Sequence, residues 1–117
     1  MITDSEFIAA ADATLATIGL ALDAALETAD ADVDWSLNDG ILEIDCGDGG
    51  KLIVNRHVAN RELWVAARAG GYHFQPRDGR WLDTRSADEL GPVLARLVKA
   101  QAGLAVKLPT LAAPALS

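Results

Sequence analysis

Three aspartates stand at alternate positions in the run Asp30-Ala31-Asp32-Val33-Asp34, and Asn38, Asp39 and Gly40 follow closely. Carboxylates at such spacing are hard oxygen ligands, suited to cations and poor at discriminating among them. A calcium loop opening at Asp30 needs glycine at its sixth position and glutamate at its twelfth. Those positions hold Trp35 and Ile41, so the loop reading fails. Strict alternation instead predicts a strand over 31–37, with Ala31, Val33, Trp35 and Leu37 on one side and the aspartates on the other. Carboxylates two residues apart on a strand stand ~6–7 Å from one another. Any two can share an ion with waters, but they cannot close a cage around it. The chemistry expected is weak, exposed and multiple cation binding, with calcium or magnesium competing.

The aspartates belong to a wider asymmetry. Residues 1–50 contain twelve acids and no Lys or Arg, whereas residues 51–117 contain all ten basic residues and five acids. Such a field repels nucleic acid, and the basic half has no Lys/Arg cluster resembling a phosphate-tracking stripe. The acidic half has a second use besides cations: it steers the molecule toward a basic partner, an effect that salt screens.

Other chemistry is sparse. The single cysteine, Cys46, leaves no disulfide framework or Cys-based zinc site and reads as a small buried hydrophobe on a strand. His57 and His73 are read as surface polar residues rather than ligands. No Ser/His/Asp set, phosphate-cradling glycine loop or buried carboxylate pair is discernible, so an enzyme is not expected. No apolar run approaches the ~20 residues of a membrane span. The lack of basic residues before Lys51 leaves no signal-peptide n-region or Arg-rich transit peptide, and the expected location is the cytoplasm.

These side chains need elements to position them. Thr3-Asp4-Ser5-Glu6 has the spacing of a capping box. Phe7, Ala11, Leu15, Ile18, Leu22 and Leu26 then form one apolar stripe, predicting a helix over roughly 4–28 with Asp12, Asp23 and Glu27 on its flank. The period changes to two over 31–37, 41–46, 51–57, 61–67, 71–75 and 80–83. The short links, among them Asn38-Asp39-Gly40 and Arg77-Asp78-Gly79, force antiparallel neighbours. A second helix is expected from a capping box at Ser86-Ala87-Asp88-Glu89, with Pro92 after its first turn costing a hydrogen bond and Gly103 as its C-cap. The fold class is therefore α+β: a two-layer sandwich with two helices on one face of an antiparallel sheet of about six strands. The domain spans 3–104, and 105–117 is expected to be a loosely held tail whose Val106 and Leu108 can cover apolar surface.

Alternation leaves one sheet face open. Lys51, Ile53, Asn55 and His57 point out from the third strand, Glu62, Trp64 and Ala66 from the fourth, and His73 from the fifth. An outward tryptophan among polar neighbours marks an interface.

The run "VNRHVANRELWVAARAGGYHF" (54–74), followed by "WLDTRS" (81–86) and preceded far upstream by "DSEF", resembles the bacterial frataxin (CyaY) family. The resemblance covers roughly residues 3–104. It implies a frataxin-like fold, a monomer in the absence of iron, and an acidic ridge that binds Fe2+ or Fe3+ weakly. It also implies a role in iron–sulfur cluster assembly beside a cysteine desulfurase and a scaffold protein. Carried over, the ridge maps to Asp23, Glu27, Asp30, Asp32 and Asp34, and the partner-recognition residues to Asn55, His57 and Trp64. The chain departs from the pattern at Leu20, Ala24 and Ala25, where the family carries further acids. Two other readings compete: an acidic interaction module whose metal binding is incidental, and, less favoured, an iron-oxidising enzyme.

Overall fold

The structure, a computed structural model, describes residues 2–114. Helix α1 (Asp4–Leu26) opens on the expected capping box: the Thr3 hydroxyl accepts from the Glu6 N–H at 3.1 Å, and the Glu6 carboxylate accepts from the Thr3 N–H at 3.0 Å. Six strands follow: β1 (Asp34–Asn38), β2 (Ile41–Asp45), β3 (Lys51–His57), β4 (Glu62–Ala67), β5 (Gly70–Arg77) and β6 (Arg80–Asp83). They form an antiparallel meander in sequence order, and helix α2 (Leu90–Ala102) closes the layer opposite the open face. The Asp39-Gly40 and Asp78-Gly79 pairs both sit at positive φ, the backbone that a two-residue hairpin turn requires.

The apolar stripe of α1 meets the inner face of the sheet. Phe7, Ala11, Leu15, Ile18 and Leu22 are at most 1% exposed and pack with Leu42, Ile44, Leu52, Val54, Leu63 and Phe74. Trp81 is buried beside Phe7, and its indole N–H donates to the Thr14 hydroxyl at 3.1 Å. Cys46 is buried as expected, but it lies just past the end of β2, at the start of the tight turn Gly47–Gly49, rather than on the strand, and burial pushes its thiol pKa up. By length and composition α1 is long and apolar enough to cross a membrane, contrary to the expectation that no segment is. Its acids are spread along the exposed side, so no uninterrupted apolar run reveals it, and its apolar side is taken up by the core.

Three further expectations need correction. The first strand begins at Asp34, not at 31, because β2 ends at Asp45 and Asp34 is the last residue with a partner. Ala31 and Val33 still turn inward, but Asp30 and Asp32 lie on the connection before the strand. The second capping box does not form. Glu89 is the N-cap with no side-chain capping bond; its carboxylate instead accepts from Arg80 at 3.0 Å. The turn before it is organised by the buried Asp83, whose Oδ1 accepts from the N–H groups of Arg85 and Ser86 at 2.7 and 3.3 Å. Pro92 is consequently the third residue of α2, where no intrahelical N–H donor is needed, so it removes no bond.

Gly103 ends α2 in the left-handed conformation. The chain beyond it runs back over the core: Val106 and Leu108 pack against it, Leu111 is buried, and the Ala113 N–H donates to the Gly79 carbonyl at 2.9 Å. Ala112 bridges to Arg80 at the free edge of β6.

Candidate functional site

Two groups of side chains occupy the open face and its β1 edge. All five expected ridge residues are exposed. Asp23, in the last turns of α1, accepts from the Trp35 indole N–H at 2.8 Å. The Trp35 ring in turn lies over Gly19, where a Cβ would come within 2.6 Å of it. A helix glycine thus lets the ring bring β1 against α1 and orients Asp23 toward the strand. Glu27 is the helix C-cap, and Asp30 and Asp32 follow on the connection. The Asp32 carboxylate passes close over Gly47.

Asp34 stands directly opposite Asp45, and Ser36 opposite Glu43. With Trp35 these four line a shallow hollow of about 220 Å³. Sequence reasoning missed Glu43 and Asp45. The signal was present: alternation turns both outward on the second strand, and a two-residue Asp39-Gly40 turn fixes the register that pairs 34 with 45. Like charges directly opposite on neighbouring strands repel, so the hollow favours a cation. Asp45 is partly engaged, accepting from the Gly47 N–H at 3.0 Å, and Glu43 is paired with Lys51 at 2.6 Å. Among the described residues no group of three carboxylates, imidazoles or thiols is close enough to hold an ion on its own. This is the geometry of open, partial coordination completed by water.

Several other acids of the N-terminal half are taken up by the fold. Asp12, placed with Asp23 and Glu27 on the helix flank by its spacing, accepts from Arg56 at 2.5 Å, and Arg56 also reaches Asp39 at 3.4 Å. Asp4 pairs with Arg61. Among the described residues the unpaired acid of this half is therefore concentrated from Glu27 to Asp34, with Asp48 apart from it.

The second group is on β3, β4 and β5. Asn55 is paired with Trp64, Trp64 with His73, and His57 with Glu62, so the expected register holds and Trp64 faces outward. The indole is stacked between two imidazoles: His57 at 3.8 Å and 10°, His73 at 4.2 Å and 6°. Glu62 accepts from the Trp64 indole N–H at 2.8 Å. His73, expected only as a surface polar residue, is thus the second wall of the stack. Ile41, Ile53 and Ala66 lie beside it on the same face, with Ile41 45% exposed.

Residues 1–104 match the model of the frataxin-like domain. The chain belongs to the frataxin-like family. It is 45% identical over 107 residues to the iron-sulfur cluster assembly protein CyaY of Ralstonia nicotianae, covering 92% of this chain and 95% of that protein. It is 51% identical over 106 residues to the protein of the same name from Dechloromonas aromatica, covering 90% of this chain and 97% of that protein. The solved frataxin of Psychromonas ingrahamii superposes with a TM-score of 0.75 at 31% identity, over 91% of this chain and 97% of that one. The frataxin-like sandwich of two helices on an open six-stranded sheet is thereby the fold of this chain.

Proposed function

We propose that this chain is a non-catalytic iron-binding protein of iron–sulfur cluster assembly, acting in the cytoplasm as a regulator or iron donor. The observation that carries the reading is the band of unpaired, exposed carboxylates from Glu27 to Asp34, extended by the Asp34–Asp45 pair, beside an outward tryptophan on an open sheet face. Its close relatives carry the name iron-sulfur cluster assembly protein. Fe3+ is a hard cation and Fe2+ a borderline one; both accept carboxylate oxygens, and an open, partial site binds Fe2+ weakly and releases it readily. Other divalent cations compete.

The same band docks on a basic surface of a cysteine desulfurase, and the Trp64 platform, with Asn55 and His57 beside it, completes the contact with the desulfurase and the cluster scaffold. Long-range attraction sets the encounter rate, while the desolvated tryptophan sets how long the complex lasts. Asp23, held by Trp35, contributes charge to the ridge with only part of its ligating capacity free.

The decisive experiment replaces Asp30, Asp32 and Asp34 by Asn and, separately, Trp64 by Ala, then measures iron binding and desulfurase binding by titration. The aspartate variant is expected to lose most of the iron binding and part of the desulfurase affinity, and Trp64→Ala to lose desulfurase affinity alone. Full iron affinity in the aspartate variant would refute the ridge assignment. Loss of iron with normal desulfurase binding and regulation would favour a pure interaction module.

A further inference from the structure

The two imidazoles that sandwich Trp64 are not equivalent. His73 is the exposed wall; its Nδ1 lies 3.9 Å from a Glu62 oxygen, and it shares a small notch with Gly71, Thr84 and Arg85. The Arg85 guanidinium is turned to the Gly71 carbonyl, to which it donates at 2.7 Å. His57 is the inner wall, and among the described residues its buried Nδ1 has no hydrogen-bond partner. The charged group facing His57 across the ladder is Glu62, whose Oε1 is already held by the Trp64 indole N–H. Arg56, its chain neighbour, is turned to the helix side by Asp12.

A neutral imidazole can leave a lone pair on Nδ1 and keep its proton on Nε2, which suits His57 where it stands. An imidazolium carries N–H on both nitrogens, and a buried donor with no acceptor is costly. Protonation therefore disfavours the stacked pose of His57. A cation–π attraction to the indole is open to either ring, so the difference lies in the nitrogens: for His73 a proton turns its approach to Glu62 into an ion pair, against a weaker repulsion from Arg85.

We propose that His57 and His73 are positioning residues for Trp64, and that a proton on His57 releases one face of the indole while His73 keeps the other. In the neutral state the three rings form a flat, preorganised platform; in the protonated state Trp64 is held from one side and loses its fixed orientation. Histidine is the side chain that ordinarily changes charge between about pH 5 and 8, and that range is the one over which the device is tested. The consequence for binding rests on the reading above, in which Trp64 carries partner contact.

Two measurements on the full chain test this. In the isolated protein, ring-to-ring NOEs are followed from pH 8 to pH 5, with Trp64→Phe used for assignment. The His57–Trp64 contacts should disappear while the His73–Trp64 contacts persist. Persistence of both, as in a ring flip within the stack, or loss of both together, would overturn the proposal whether or not any partner binds. The second measurement uses a cysteine desulfurase as probe at pH 8 and pH 6. Wild type should weaken at least fivefold more than His57→Phe, which keeps a flat ring but cannot titrate. Each variant is compared with itself at the two pH values: His57→Phe should lose the pH dependence whatever its affinity at pH 8, His57→Ala should be weaker at both, and His73→Phe should retain the pH dependence. Equal pH dependence in wild type and His57→Phe would refute the proton's role. Absence of desulfurase binding in every variant, including wild type, would refute the functional reading and leave the NOE result to decide the device.

Discussion

The acidic edge runs from the end of α1 along the β1 side of the sheet, the aromatic platform occupies the open face, and the two are held in opposite ways. Glu27, Asp30, Asp32 and Asp34 form no side-chain hydrogen bond or ion pair among the described residues, and three of the four lie outside regular structure. Trp64 has a ring on each face and a carboxylate on its N–H, all from the central strands of the sheet. Charge acts over a Debye length of about 8–10 Å, so an acidic surface tolerates imprecise placement of each carboxylate. Stacking and hydrogen bonding fall off within an ångström or so, and they need the rigid ladder. The difference teaches why the acids can sit on a connection while the tryptophan must sit mid-sheet.

The largest expected effect breaks the platform. Trp64→Ala should weaken desulfurase binding by about 2–4 kcal/mol, the range of an interface hot spot, while the thermal unfolding midpoint moves little. A midpoint falling as far as that of Phe74→Ala would mean that Trp64 is a fold residue, and the contrast would collapse.

Next comes the edge. Replacing Asp30, Asp32 and Asp34 together by Asn should slow desulfurase association about tenfold at low salt, and the deficit should vanish at high ionic strength. A deficit independent of salt, measured by stopped flow, would indicate specific contacts rather than a field. Stability should hold or rise slightly, since the change relieves repulsion between Asp34 and Asp45.

A smaller effect separates engaged acids from free ones. Asp12→Ala leaves the largely buried Arg56 without its main partner. The pair is partly exposed, so a loss of only about 1 kcal/mol is expected by denaturant titration. Asp34→Asn should lose none.

The smallest effect is at the start of α1. The Thr3 N–H, and then the Thr3 hydroxyl, hold the Glu6 carboxyl below the ordinary value of 4.5. A carboxyl depressed in the folded state stabilises the fold above its unfolded value, and that contribution is lost as pH falls through the folded one. Glu6→Gln should therefore flatten the acid limb of the stability curve slightly below pH 4.5. An unchanged limb would mean that the capping box does not persist in solution.

Much of this was legible because it is periodic. The stripe from Phe7 to Leu22, the alternation over 51–57 and 61–67, and the Asp39-Gly40 turn each report a local requirement, so the layers and the outward set of Asn55, His57 and Trp64 could be read directly. Contacts between residues distant in sequence could not. The length of the first strand depended on where β2 runs out of partners, and the start of α2 on a turn built by the buried Asp83. No local pattern separates Asp12, tied to Arg56, from Asp34, which is free. Glu43 and Asp45 could have been found by extending the hairpin register, and Asp83 could not.

The sequence by itself determined the two-layer architecture, the single-sign acidic half and the outward face, because periodicity and composition are properties of neighbours along the chain. Only the tertiary structure decided which carboxylates are already taken, that Asp34 confronts Asp45, and that Trp64 stands between two histidines. Those facts depend on which residues the register of separate strands places side by side. A shift of one residue in any ladder would turn the same side chains to the opposite face.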